Sequence, residues 1–301
     1  MVTINGVSVI QANALLGASY QVYRHVETNE TFVRTVGYAL PTALHEVVQT
    51  VAPTTFFASR PTQWQSLRKR SSEATRLPKQ TPKEPMAMLS SRDGDSNTTP
   101  SFLRSLYRTV TYKPFAEDRN VLGIVGFKDD YPNPADLAAF MGKYRNDGSR
   151  NPPFNVIQVN GGGYDPSHPH DESNLDTQYA MAIAYPTPLV FYSTGTGSGT
   201  TEYYLSWLGS VLGLRKIPQT ISGSYVINER FVSREYAVFL CNLFALLGLR
   251  GVSVLFSSGD FGVGQGDCMA GDGSVQFVPV FPASCTYCVF PQPQSSAHVR
   301  I

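Results

Sequence analysis

The chain has 301 residues, 42% hydrophobic and only 16% charged, with a formal net charge of +1. That is enough apolar material for one large core and a smaller unit, and it excludes a disordered chain. The near-neutral balance argues against nucleic acid as a partner, no apolar run reaches membrane-spanning length, and Met1-Val-Thr-Ile-Asn-Gly6 shows no signal-peptide pattern.

Residues 1–58 read as a small α+β unit. Positions 7–16 fit a helix closed by Gly17, and 20–26 and 32–36 alternate like two half-buried strands joined through 27–30. Pro41 opens a predicted helix to about residue 51, which Pro53 ends. Together these read as half of a ferredoxin-like split unit without its first elements. Residues 59–100 read as a linker rich in Pro, Ser and Thr with no sustained period. Its Arg68-Lys-Arg70 run reads either as a solvated charge cluster or as a processing site, since nicking concentrates in exposed linkers.

From residue 101 strands and helices alternate. Strands are expected at 121–127, 154–159, 189–192, 219–222 and 252–256. Helices are expected from Pro134 (with Asn133 as N-cap) to Tyr144, over 174–183, over 202–212 and over 233–247. That alternation predicts a parallel sheet with helices on both faces. After residue 287 the chain becomes rich in Pro, Gln and Ser, so 288–301 reads as a tail.

Two stretches point to acid chemistry. In Asp171-Glu172-Ser-Asn-Leu-Asp176, Glu172 and Asp176 are four apart and share one helix face. Two carboxylates that close hold a proton between them and titrate in two steps, which suits a general base at acid pH. Exposed helices often carry such pairs; position favours chemistry here, at a helix start beyond a strand end and the Gly161-Gly-Gly163 turn. In Ser257-Ser-Gly-Asp260, a strand ends in a small-residue turn presenting Asp260. A protonated carboxyl there would donate a hydrogen bond to a developing oxyanion.

Other features are weaker. The glycines at 195–199 and 262–266 lack the spacing of a dinucleotide or phosphate loop, which weighs against a nucleotide-binding α/β protein. Asp260-Phe-Gly262 lacks the other kinase elements. His168 and His170 read as exposed loop residues, and no metal set is found. Cys268 and Cys285 are spaced to close a modest loop in an oxidising compartment, while Cys285-x-x-Cys288 has no second pair to complete a zinc site. Asn29-Glu-Thr31 and Asn97-Thr-Thr99 are sequons that lean towards export, although such tripeptides are frequent by chance.

In order, Gln158-Val-Asn-Gly-Gly-Gly163, Glu172-Ser-Asn-Leu-Asp-Thr-Gln-Tyr179, Ser257-Ser-Gly-Asp-Phe-Gly-Val-Gly264 and Phe277-Val-Pro-Val-Phe-Pro-Ala-Ser-Cys285 resemble the motifs of the sedolisin family of serine-carboxyl peptidases. Within it the chain is most similar to fungal secreted tripeptidyl peptidases. The resemblance implies a subtilisin-like α/β fold, incomplete here, preceded over 1–58 by the end of an activation prodomain that acts as intramolecular inhibitor and chaperone. It implies Glu172 as general base, Asp176 as its orienting carboxylate, Asp260 as oxyanion donor, and Ser224 and Tyr225 on the substrate-binding edge. It further implies peptide substrates, secretion, and calcium bound by residues beyond this chain.

The departures carry expectations of their own. The family nucleophile sits in a Gly-Thr-Ser-x-Ser-x-Pro motif that does not occur here, so no nucleophile is named. The family's Ser-Tyr-Gly is Ser224-Tyr-Val226, where the valine side chain would obstruct the substrate edge. Missing first elements and a diverging end predict a truncated or wrongly joined chain. The alternative to a peptidase is therefore an inactive remnant or peptide-binding fragment.

Overall fold

The computed structural model describes residues 6–24, 31–57, 98–115, 119–127, 129–145, 154–195, 203–260 and 272–289, with single positions beside them. The Arg68-Lys-Arg70 run, Asn97, Cys268, the 262–266 glycines and residues 290–301 lie outside the described residues.

In the N-terminal unit, α1 (Val9–Leu16) starts on a capping box: the Ser8 side chain takes the Gln11 backbone N–H and Gln11 reaches back. Gly17 closes the helix at φ 52°, a left-handed conformation that glycine adopts without strain. β1 (Gln21–Arg24) and β2 (Thr31–Arg34) pair antiparallel, with Gln21 opposite Arg34. The helix predicted over 41–51 is absent; only a 3-10 turn forms, at Thr42–Leu44. Residues 41–47 are all exposed, so no apolar face gains tertiary packing, and β-branched Val47, Val48, Thr50 and Val51 disfavour a helix on their own.

The larger unit opens with a helix that the sequence reading did not place, α2 (Pro100–Leu106), capped by Thr99. There follow β3 (Leu122–Phe127), α3 (Pro134–Tyr144), β4 (Phe154–Val159), α4 (Asp171–Ala184), β5 (Leu189–Thr194) and α5 (Tyr203–Gly213). After these come β6 (Thr220–Gly223), the short β7 (Ile227–Asn228), α6 (Arg234–Leu249), β8 (Ser253–Phe256) and the short β9 (Val280–Phe281). Five strands form one parallel sheet in the order β4-β5-β3-β6-β8, and β7 pairs antiparallel with β9.

Strand periodicity sends alternate side chains to two cores. Val125, Val190, Tyr192, Ile221 and Val254 meet α5 and α6 through Trp207, Leu240 and Phe244. Ile124, Leu189 and Phe191 meet α3 and α4 through Leu137, Met141, Met181 and Ala182. Helices thus cover both faces, as expected.

The crossovers are not all of one hand. The steps from β3 to β4 and from β4 to β5 run in opposite directions across the sheet, yet α3 and α4 share a face. Those two units therefore have opposite handedness. The later steps to β6 and β8 run opposite to the first and use the opposite face, so they share its hand. Because right-handed crossovers are the strong norm, β4-α4-β5 is the left-handed unit. Its consequence is functional: α4 lies over β3 and β5 rather than beside α5.

Two local readings change. Cys285 bonds to Cys241 of α6, with Cα atoms 5.7 Å apart, so the proposed Cys268–Cys285 loop does not form. Packing of α6 against the segment after β9 selects the partner, which sequence spacing does not encode. Cys288 is a buried free thiol that burial pushes up to about 12, which leaves it inert. Cys288 and Val289, read as the first residues of a tail, lie against the sheet. Val289 donates to the Val254 carbonyl (2.8 Å) and accepts from Phe256 N–H (3.0 Å), using polar groups that β8 leaves free at its edge.

Candidate active site

Every candidate residue stands at the carboxyl-terminal rim of the sheet, where a parallel α/β fold presents ligands. Asp130 follows β3, Glu172 sits in the first turn of α4 after β4, Ser224 and Tyr225 follow β6, and Asp260 follows β8.

Glu172 is buried and Asp176, one turn on, is half-buried, and the two carboxyls are close enough to interact directly. Ser224 Oγ donates to Asp176 Oδ1 at 2.8 Å and also bonds Glu172. Burial first, then the Asp176 charge, pushes Glu172 well above the usual carboxylate range; the Asp260 charge adds to the rise and Ser224 opposes it. Burial likewise raises Asp176, against hydrogen bonds from Ser224 and Glu172. Two carboxyls this close and this far out of water titrate as a coupled pair. Asp260 is exposed, and its charge reaches Glu172, so the two stretches singled out in the sequence meet at one site.

The sequence reading missed Asp130. Its Oδ2 accepts from the Tyr225 hydroxyl at 2.6 Å, and its Oδ1 lies 2.9 Å from His170 Nδ1. Asp129 beside it accepts the Gly163 N–H at 3.0 Å. A signal was present: Asp129-Asp130 comes immediately after the strand end, where functional groups gather. Burial, then the Asp130 charge and hydrogen bond, then Asp176 and Glu172, hold the Tyr225 hydroxyl well above its ordinary range, so it stays a neutral donor.

The side chains of Ser224 and Tyr225 are turned into this cluster. Tyr225 packs edge-on against Phe127 with centroids 5.1 Å apart, and its carbonyl accepts from Tyr204 Oη at 2.9 Å. Val226 is buried with Val280 and Ala283, so its side chain is held inside the small cluster behind β7 and β9 and does not stand over the edge. His168 and His170 are exposed as expected, and His168 pairs with Asp165 at 2.7 Å. Among the described residues no group of three or more His, Cys, Asp or Glu side chains is placed to hold a metal ion.

The chain as a whole is similar to known proteins. The family described as Pro-kumamolisin, activation domain matches residues 2–57. Tripeptidyl-peptidase sed4 of Aspergillus fumigatus is 33% identical over 92% of this chain and 47% of its own length. Tripeptidyl-peptidase SED4 of Arthroderma otae is 30% identical over 93% of this chain and 47% of its own. The chain is a homologue of the sedolisin-family tripeptidyl peptidases. This sedolisin homologue spans about half the length of the curated relatives it matches. Among solved structures it is similar to Pseudomonas sedolisin, a serine-carboxyl proteinase complexed with pseudo-iodotyrostatin. That similarity has 20% identity and a TM-score of 0.48, over 64% of this chain and 52% of the other.

Proposed function

We propose that Glu172, Asp176 and Asp260 form the acid–base half of a serine-carboxyl peptidase site that releases tripeptides from peptides at acid pH. The observation that carries this reading is the pairing of buried Glu172 with half-buried Asp176, clamped by Ser224 and facing the Asp260 charge. In the proposed chemistry the pair carries one proton between its two carboxyls, and Glu172 takes the proton of a serine hydroxyl, as it attacks the peptide carbonyl, while the shared proton passes to Asp176. Asp176 holds Glu172 in place and shares its charge. Asp260, as a carboxylic acid in acid solution, donates to the oxyanion, and Glu172 then returns the proton to the leaving amine. Ser224 and Tyr225 border the substrate edge through their backbone, with their side chains holding the carboxylates.

Residues 2–57 are proposed as the activation unit that inhibits this site until it is cut away, on the strength of the family match. A secreted location fits the Cys241–Cys285 bond, a crosslink that persists in oxidising surroundings. No helix among the described residues is long and apolar enough to cross a membrane. Calcium is implied by the resemblance alone; the described residues offer no set to hold it, and no step is routed through it.

A second reading, an inactive or peptide-binding fragment, is favoured by the absence of Gly-Thr-Ser-x-Ser-x-Pro from the 301 residues. The test is to read the transcript past the Tyr287 codon and assay the encoded product for tripeptide release at roughly pH 3–5, the range set by ordinary carboxylates. An in-frame motif with acid activity that Glu172→Gln abolishes supports the first reading. For the 301-residue chain itself no hydrolysis is expected, and serine-dependent turnover by it would overturn the assignment of the missing nucleophile.

A further inference from the structure

The exit segment of the N-terminal unit, residues 52–57, bends through 52–55 and leaves Phe56 and Phe57 outside any helix or strand, with their rings in different contacts. Its backbone belongs to that unit: Thr35 N–H donates to the Thr54 carbonyl (3.1 Å), Tyr20 Oη to the Pro53 carbonyl (3.2 Å), and the buried Arg34 through Nε to the Phe56 carbonyl (2.7 Å). Phe57 turns back, packing edge-on to Tyr23 with centroids 4.8 Å apart. Phe56 turns the other way. Its ring is 5% exposed and stacks on Tyr236 in the first turn of α6, centroids 4.3 Å apart with 27° between planes. Of the described residues up to 57, Phe56 alone joins the core cluster of the sheet's α5/α6 face. The first turn of α6 follows β6 and β7, at the rim that carries Ser224, Tyr225 and Asp260.

We propose that Phe56 is the plug that retains the N-terminal unit on the peptidase unit after the chain between them is cut. The pocket walled by Tyr236 is its receptor, and Arg34 presents the plug. The inference rests on reading residues 2–57 as an activation unit, and gives that unit its point of attachment beside the site. An aromatic ring almost entirely removed from water and stacked is the kind of contact that dominates an interface of modest size. Its backbone clasp means that the ring is presented already ordered, which lowers the entropic cost of rebinding.

The test uses the full chain, nicked by limited digestion with a basic-residue protease at Arg68-Lys-Arg70 and passed over a gel-filtration column at micromolar concentration. It reads retention and not hydrolysis, so it stands apart from whether the chain cleaves peptides. The wild-type N-terminal fragment is expected to co-elute with the remainder. Phe56→Ala is expected to release it, with affinity about 100-fold weaker or more, whereas Phe57→Ala, within the N-terminal unit, leaves it bound. Circular dichroism before nicking checks the fold; if Phe56→Ala misfolds, Phe56→Leu and Tyr236→Leu remove the same stack from either side and are expected to release the fragment. The proposal is overturned if the wild-type fragment separates on nicking, if Phe57→Ala releases it as readily as Phe56→Ala, or if the folded Phe56 and Tyr236 variants all retain it.

Discussion

Replacing Glu172 by glutamine keeps the shape of the buried side chain and removes its charge, which isolates the electrostatics of the pair. Burial and the Asp176 charge hold Glu172 above its unfolded value, so between the two values the folded chain carries a proton that the unfolded chain has released. Stability from this group is therefore fully present below the unfolded value near pH 4 and falls as pH rises towards the folded one. Each unit of upward shift costs about 1.4 kcal/mol once pH exceeds both values. Glutamine avoids the desolvation of a carboxylate and carries N–H groups that can face Asp176. At pH 7 to 8 the variant is expected to be more stable than wild type by at least about 1.4 kcal/mol, or roughly 3–6 °C in Tm for a unit of this size. Near pH 4 the two should melt within about 1 °C of each other, because wild-type Glu172 is already neutral. Thermal melts followed by circular dichroism at both pH values decide it. A variant no more stable at pH 8 than at pH 4, relative to wild type, would refute a raised, buried Glu172 and the proton-sharing pair with it.

Three further perturbations follow from named contacts. Ser224→Ala removes the hydroxyl that favours the charged pair, so both apparent carboxyl values should rise further in a carbon-13 NMR titration; unchanged values would mean that the Ser224 bond is not formed. Cys241→Ser opens a crosslink spanning 44 residues and should cost about 3–4 kcal/mol in denaturant unfolding, with reducing agent destabilising wild type but not the variant. A Cβ at Gly195 would stand 2.6 Å from Gly162 N and 2.7 Å from the Gly161 carbonyl, backbone that must shift to admit it. Gly195→Ala should therefore lower stability by about 1–3 kcal/mol, measured as a fall in the urea midpoint, and should disturb the loop leading to Glu172.

The larger unit was legible wherever local chemistry and burial agree. Asn133-Pro134 opens α3 because the side chain takes the first free N–H groups and proline occupies a position that needs no donor. The apolar run at 121–127 reads as a strand because both its faces end up buried. The segment at 41–51 shows the opposite case: its pattern suits a helix, but its exposed face offers nothing to pack against, so propensity has no tertiary support.

By itself, then, the sequence determined the elements of the sheet, the four-residue spacing that pairs Glu172 with Asp176, and the turn that presents Asp260, because periodicity, caps and turns are short-range physics. Only the tertiary structure decided who meets whom. The left-handed β4-α4-β5 crossover lays α4 over β3 and β5, Asp130 takes up Tyr225 across 95 residues, Cys285 finds Cys241, and Phe56 leaves its own unit for Tyr236. These pairings depend on which surfaces the packed sheet brings within a few ångströms, and no local pattern in the chain encodes that distance.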